Sequence, residues 1–221
     1  EGEANSASAA SVPLEDRAPQ DLHIPVLAEE VAEVFRGVEG GIVRFIDGTV
    51  GMGGHSSAVC REHSASLQLL MGIDQDPSAL LMAGKRLESF RADGRAILVS
   101  GNFEDMGRLA AENGIEKGSV DGILLDIGTS SLQIDEAERG FSFMRDGPLD
   151  MRMDPRQGLT AADIVNTWDE EEIARVIYEY GEERKSRSMA RKIVAARELK
   201  PIDTTLELCR VIGGPRHGKG I

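Results

Sequence analysis

Two acids and a run of glycines stand where a bound nucleoside would need them. Asp47 closes an apolar run and is followed at once by Gly48-Thr49-Val50-Gly51-Met52-Gly53-Gly54-His55-Ser56. Glycines between a strand and a helix let the backbone approach a ligand and leave amide donors exposed at the helix start. Asp74 follows Gly53 by roughly the twenty residues at which a βαβ unit delivers an acid to ribose hydroxyls. Both NAD and S-adenosylmethionine use that contact. A dinucleotide fingerprint would read GxGxxG, but counting from Gly51 the last position is Ser56. Asp47 also opposes a pyrophosphate by charge and suits an ammonium or sulfonium cation, and S-adenosylmethionine carries both. Taken singly, the glycines read as a tight β-to-α turn and Asp74 as a loop acid. It is their common register that points to a nucleotide site.

Two further residues fall at corresponding places. Phe103, in Gly101-Asn102-Phe103, follows a third apolar run, where a ring either stacks beside an adenine or fills the core. Asp126 ends Val120-Asp121-Gly122-Ile123-Leu124-Leu125-Asp126, at the edge where open α/β sheets place reacting groups. The loop from Thr129 to Asp154 is unusually polar. It holds Arg139, Arg145 and Arg152, suited to phosphate, and Phe141 and Phe143, suited to the face of a base. As isolated residues, these read as solvated charge and packing.

Positioning these groups requires a parallel sheet. Short β-rich runs at Ile42 to Asp47, Leu67 to Asp74, Ala96 to Ser100 and Val120 to Ile127 alternate with helical segments, the pattern of βαβ units with right-handed crossovers. Pro77 opens a helix expected to run to about Phe90. From Leu159 to Ile212 the chain reads as helices only, with capping boxes at Thr160/Asp163, Thr167/Glu170 and Thr204/Glu207. The expected organisation is a disordered leader at 1–20, a cofactor-binding portion at 21–130, an active-site loop and helical subdomain at 131–212, and a frayed tail at 213–221.

The 221 residues, 41% hydrophobic and 29% charged, have the composition of a folded soluble domain. No apolar run approaches the ~18 residues of a membrane-spanning helix, so channels and transporters are set aside. Cys60 and Cys209 give neither a disulfide framework nor CxxC spacing, no His cluster suggests a metal, and a reducing compartment fits. His63 and His217 read as surface residues. The formal charge of −13 would repel a nucleic acid if spread evenly, so such a partner needs a local basic patch. Arg184, Lys185, Arg187, Arg191, Lys192, Arg197 and Lys200 against Glu198 alone offer one, with a solvated helix face as the plain alternative.

Three stretches together resemble the RsmH family, also called MraW, of small-subunit ribosomal RNA cytosine-N4 methyltransferases. They are DGTVGMGGHS (Asp47 to Ser56), DGILLDIGTSS (Asp121 to Ser131) and ERGFSFMRDGPLDMRMDP (Glu138 to Pro155), followed by YGEER (Tyr180 to Arg184). The likeness runs from about His23 to about Ile212. It implies a Rossmann-like S-adenosylmethionine-dependent methyltransferase sheet with an inserted helical subdomain. It further implies a cofactor shell of Gly53, Gly54 and His55, with Asp74 on the ribose and Phe103, Asp126 and Gln133 completing the pocket. His23-Ile24-Pro25-Val26-Leu27 also resembles the family's start and places His23 near the cofactor. The implied partner is small-subunit ribosomal RNA or the 30S-type subunit, without metal or membrane. The implied compartment is the cytoplasm in a bacterium and a mitochondrion or plastid in a eukaryote.

The sequence departs from the family in two respects. Leu132 stands where the family commonly has Pro, which loosens the loop. Segments reading HPATR and approximately ISFHSLEDR do not follow Ile212, and the chain opens on Glu1, so a C-terminally truncated or partial product is expected, with its fourth strand at an unpaired edge. Cytosine N4 is a weak nucleophile because its lone pair is delocalised, and Asp126 is the expected catalytic acceptor that holds the amino group. A non-catalytic remnant that still binds cofactor or RNA is the alternative, and an NAD-dependent oxidoreductase is disfavoured by Ser56 and Asp47.

Overall fold

The computed structural model describes residues 25–214, and the expectations for His23, His217 and both chain ends lie outside them. The described residues divide into two compact units, one ending at Ile127 and the other beginning at Gly128.

The first unit is an α/β sandwich on a parallel sheet of order β3-β2-β1-β4, with β1 at Arg44–Asp47, β2 at Leu69–Asp74, β3 at Ala96–Ser100 and β4 at Gly122–Leu124. Helices α1 (Ala28–Arg36), α2 (Gly54–Glu62), α3 (Pro77–Arg86), α4 (Glu88–Ala92) and α5 (Met106–Glu112) connect and flank the strands. Side chains alternate across a strand, and the register pairs Phe45 with Leu70 and Ile46 with Met71. Phe45 and Leu70 therefore enter one apolar layer with Ile42, Val59, Cys60 and Leu87. Ile46 and Met71 enter the opposite layer with Ile73, Leu109 and Ile115. Phe45, Leu70, Met71 and Ile73 are wholly buried, each worth about 1.5–3 kcal/mol by transfer. Two filled faces fix the sheet, and with it the edge from which Asp47, Asp74 and Asp126 emerge.

Two elements differ from expectation. The helix begun by Pro77, whose N-cap Asp76 accepts from the Ser78 amide, stops at Arg86, and α4 restarts after Leu87, whose ψ of 12° leaves the helical range while its side chain is fully buried. The fourth strand is three residues long instead of eight. Its only partner among the described residues, β1, turns out of the sheet at Gly48, whose amide donates to the Leu124 carbonyl, and the described ladder ends there.

The second unit is helical: α6 (Ser131–Asp135), α7 (Ala161–Thr167), α8 (Glu170–Glu179), α9 (Ser186–Arg197) and α10 (Thr205–Ile212). Its core joins Leu149, Val165, Ile173, Ala190, Ile193 and Ile202. Capping boxes at Thr160/Asp163 and Thr204/Glu207 form as expected. The one at Thr167 does not: Thr167 ends α7 with its hydroxyl on the Asp163 carbonyl, and Asp169 caps α8 by accepting from the Glu172 amide. Leu132 is buried in the first turn of α6, and Ser130 and Gln133 close a capping box around it, so that segment is held without the proline.

Candidate active site

Because β2 lies on one side of β1 and β4 on the other, the connections leaving the sheet diverge between β1 and β4. Open α/β sheets bind ligands at such a switch point, outside the carboxyl ends of the strands. The turn after β1 bridges the gap on both sides. The Val50 amide donates to the Ile73 carbonyl at 2.9 Å, and the Asp126 amide donates to Thr49 Oγ1 at 2.7 Å.

Asp47 is the anchor beneath this turn. It is 1% exposed, and it accepts from the Ser56 hydroxyl at 2.7 Å and from the Thr49 amide at 3.2 Å. Burial pushes its carboxyl up to about 6, against the lowering effect of those two donors. His55 and a second acid, Asp74, lie close to it. Asp74 ends β2 and also organises the turn: Oδ2 accepts from the Gly51 amide and Oδ1 from the Asp76 amide, both at 2.9 Å. Its carboxyl too is raised by burial.

Two of the glycines are also closely packed. Gly53 has φ +76, a left-handed backbone, and a Cβ there would sit 3.2 Å from Ala83 Cα on α3. On Gly54 a Cβ would fall 2.9 Å from the Pro25 ring. These two residues let the turn close against α3 and Pro25. Phe103, in a 3-10 turn after β3, lies against the turn: a Cβ on Gly48 would stand 3.2 Å from Phe103 Cβ and 2.5 Å from Leu125 Cδ2.

Asp126 lies beyond β4 with its side chain 60% exposed, its backbone pinned by Thr49. His55, in the first turn of α2, is buried, with Nε2 2.9 Å from the Val26 carbonyl and Nδ1 3.8 Å from Asp126 Oδ2. Val26 and His55 were not linked by any spacing rule. The structure thus gathers Asp47, Gly53, Gly54, His55, Asp74, Phe103 and Asp126 at one edge of the first unit. Gln133 belongs to the second unit, where its Oε1 accepts from the Ser130 amide at 3.0 Å.

Residues 136–157 explain much of their odd composition internally. Arg139 donates to the carbonyls of Arg152 and Met153, and Arg145 to that of Asp135. Arg152 grips the Asp150 carboxylate through Nε and Nη2, which holds Asp150 below the usual carboxylate range. Asp146 accepts from the Leu206 amide. A Cβ on Gly147 would collide with the Ala137 carbonyl, so only glycine fits there. These bonds of the three arginines brace the loop from within. Phe143 remains half exposed.

His63 is buried and not on the surface: it closes α2, and its Nδ1 accepts from the Ile42 amide at 3.3 Å. Among the described residues, no group of three or more His, Cys, Asp or Glu is arranged to hold a metal ion, and no helix is long and apolar enough to cross a membrane.

The model of the MraW methylase family matches residues 20–217. Curated relatives named ribosomal RNA small subunit methyltransferase H include one from Pelodictyon phaeoclathratiforme, 52% identical over 89% of this chain and 60% of its own length. Others are from Heliobacterium modesticaldum, 48% identical over 86% and 59%, and Chlorobium luteolum, 46% identical over 92% and 63%. The chain spans about three fifths of the length of these relatives. A solved O-methyltransferase family protein from Burkholderia thailandensis aligns with 45% of this chain and 28% of its own at 24% identity, with a TM-score of 0.32, too low to carry an argument.

Proposed function

We propose that this chain, which belongs to the MraW methylase family, binds S-adenosylmethionine at the carboxyl edge of its sheet and methylates N4 of a cytidine in small-subunit ribosomal RNA. The observation that carries the cofactor is Asp47, a buried carboxylate directly under the glycine turn with another acid nearby. A ligand bearing positive charge relieves that arrangement, whereas a pyrophosphate aggravates it. The donor and acceptor set therefore fits a sulfonium nucleoside.

When bound, S-adenosylmethionine supplies a methyl group already activated by its positive sulfur. The chain's own residues do the rest. Asp74, which ends β2 and accepts from the Gly51 and Asp76 amides, is the acid placed to meet a ribose hydroxyl. Phe103, beside Gly48, offers a ring to the adenine. Gly53 and Gly54 shape the turn, and Gln133 is carried as a cofactor contact on the resemblance alone. Asp126 accepts a hydrogen of the cytosine amino group, which draws the lone pair back onto N4, and the Thr49 bond to its amide keeps the carboxylate in place. N4 must also shed a proton once it gains a methyl. Asp126 Oδ2 and His55 Nδ1 are the two acceptors at hand.

The test is transfer of a labelled methyl from S-adenosylmethionine to unmodified small-subunit RNA, followed by digestion to nucleosides. Label in N4-methylcytidine supports the proposal. Binding of S-adenosylhomocysteine without transfer would favour a binding-only role, and a response to NADH instead would overturn the cofactor assignment.

A further inference from the structure

The second unit carries a charged surface that the proposed methyl-transfer chemistry does not use. From Arg184 to Arg197 the chain holds six basic residues and no acid, within a protein of formal charge −13. The structure divides these cations by role. Arg197 donates to the Val165 carbonyl at 2.8 Å and Lys192 to the Ile212 carbonyl at 3.3 Å, which ties α9 to α7 and α10. Arg191 Nε stands 3.7 Å from Glu170. Arg184, Lys185 and Arg187 are exposed, and among the described residues none of the three is paired with an acid.

Their placement does not serve the helix they introduce. Helices α7, α8 and α10 begin with a Thr or Asp cap and an acid in the first turn, as the macrodipole favours. Helix α9 has neither, and its start carries positive charge against the dipole. The turn that leads into it, Tyr180-Gly181-Glu182-Glu183-Arg184, holds Glu182 at φ +52, a conformation that side chains other than Gly and Asn adopt at a cost. Just before these cations in the chain two tyrosines face solvent, Tyr178 at 60% and Tyr180 at 78% exposure. Unpaired cations next to open aromatic rings are the combination by which proteins hold single-stranded nucleic acid, through phosphate contacts and base stacking.

We propose that the α8–α9 turn and the start of α9 form an RNA-docking surface, in which Arg184, Lys185 and Arg187 meet phosphates and Tyr180 stacks on an unpaired base. The inference rests on the reading that the substrate is RNA. It adds that RNA is held through a surface of the helical unit. Glu179, Glu182 and Glu183 interleave with the tyrosines and cations. A planar anionic membrane would meet all of those acids within a Debye length, whereas a single strand can follow the cations and avoid them. Phosphate contacts orient without reading sequence, so this surface sets affinity and salt dependence, not the choice of cytidine.

The experiment titrates the whole chain with a short, labelled, mixed-sequence single-stranded RNA between about 50 and 200 mM salt. Replacing Arg184, Lys185 and Arg187 by Ala lowers the slope of log affinity on log salt by about 2, at ~0.7 per lost phosphate contact, and weakens binding about tenfold or more at 100 mM salt. Tyr180→Ala weakens binding severalfold with the slope unchanged, and Tyr180→Phe restores it. S-adenosylhomocysteine binding, measured by calorimetry, stays as in the unaltered chain in all three variants. If the unaltered chain binds RNA and the triple variant keeps its slope, the surface is wrong while the RNA reading stands. If the unaltered chain binds S-adenosylhomocysteine but no RNA, both fall. If the triple variant loses only phosphatidylglycerol vesicles and keeps RNA, the surface belongs to a membrane and the proposal is overturned.

Discussion

His55 turns Nδ1 toward Asp126 Oδ2 across 3.8 Å, while its Nε2 lies 2.9 Å from the Val26 carbonyl. A carbonyl only accepts, so Nε2 carries a hydrogen, and in the tautomer with that single ring hydrogen Nδ1 presents its lone pair toward Asp126. Two acceptors so placed leave room for a shared donor, and the amino group of a cytosine has two hydrogens to give. Asp126→Asn swaps one acceptor oxygen for a donor and leaves the backbone bond to Thr49 untouched. The expected result is a loss of turnover of about a hundredfold or more with S-adenosylhomocysteine affinity within a few-fold, read by single-turnover kinetics beside calorimetry. Equal turnover in the variant would remove Asp126 from its proposed role.

Asp74 should show two defects at once. In Asp74→Ala the amides of Gly51 and Asp76 both lose their acceptor, at about 1–3 kcal/mol for each donor left buried and unpaired. The melting temperature should fall, and cofactor affinity should fall more than tenfold. Asp74→Asn, which keeps one oxygen, should recover part of both. A variant that melts normally and binds normally would show that Asp74 neither organises the turn nor meets the ligand.

Asp47 predicts a pH signature. Burial raises its carboxyl from the ordinary 3.8 to about 6 in the folded chain, a difference worth about 3 kcal/mol. The folded state therefore holds this proton more tightly than the unfolded state. The stability it contributes is complete below about pH 4 and is lost as pH rises through about 6. Asp47→Asn keeps an oxygen for the Thr49 amide, and the Ser56 hydroxyl can reverse to accept from the new amide group. Denaturant melts should show this variant more stable than the unaltered chain at pH 7.5 and no more stable at pH 4, with weaker S-adenosylmethionine binding. The same shift at both pH values would contradict the assignment.

Gly147 tests the folding of the 136–157 loop. Gly147→Ala places a methyl group against the Ala137 carbonyl, and the backbone must move to admit it. A destabilisation of about 3 kcal/mol or more is expected, with proteolytic cleavage appearing first near that loop. Unchanged stability would show that the loop is not closed as described.

The sheet was readable because buried parallel strands are short apolar runs closed by a glycine or an acid, and Ile42 to Asp47 and Leu67 to Asp74 both fit that pattern. What failed to read was set by partners distant in sequence. The length of β4 depends on where β1 leaves the sheet, the break at Leu87 depends on a core that fills from other strands, and the burial of His63 depends on the Ile42 amide. At the site, Asp47, Asp74 and Asp126 were found by their places at strand ends. The His55 to Val26 bond was not, because 29 residues separate the two and neither type marks the other. The bracing of the polar loop was hidden for a related reason: Arg139 meets carbonyls 13 and 14 residues away.

The account turns on what fills the space above Asp47 and Asp74, and a crystal structure of the chain with S-adenosylhomocysteine measures that directly. The ribose hydroxyls are predicted to lie within hydrogen-bond distance of Asp74, with the sulfur between the glycine turn and Asp126. A ligand bound elsewhere, or a ribose that makes no contact with Asp74, would contradict it.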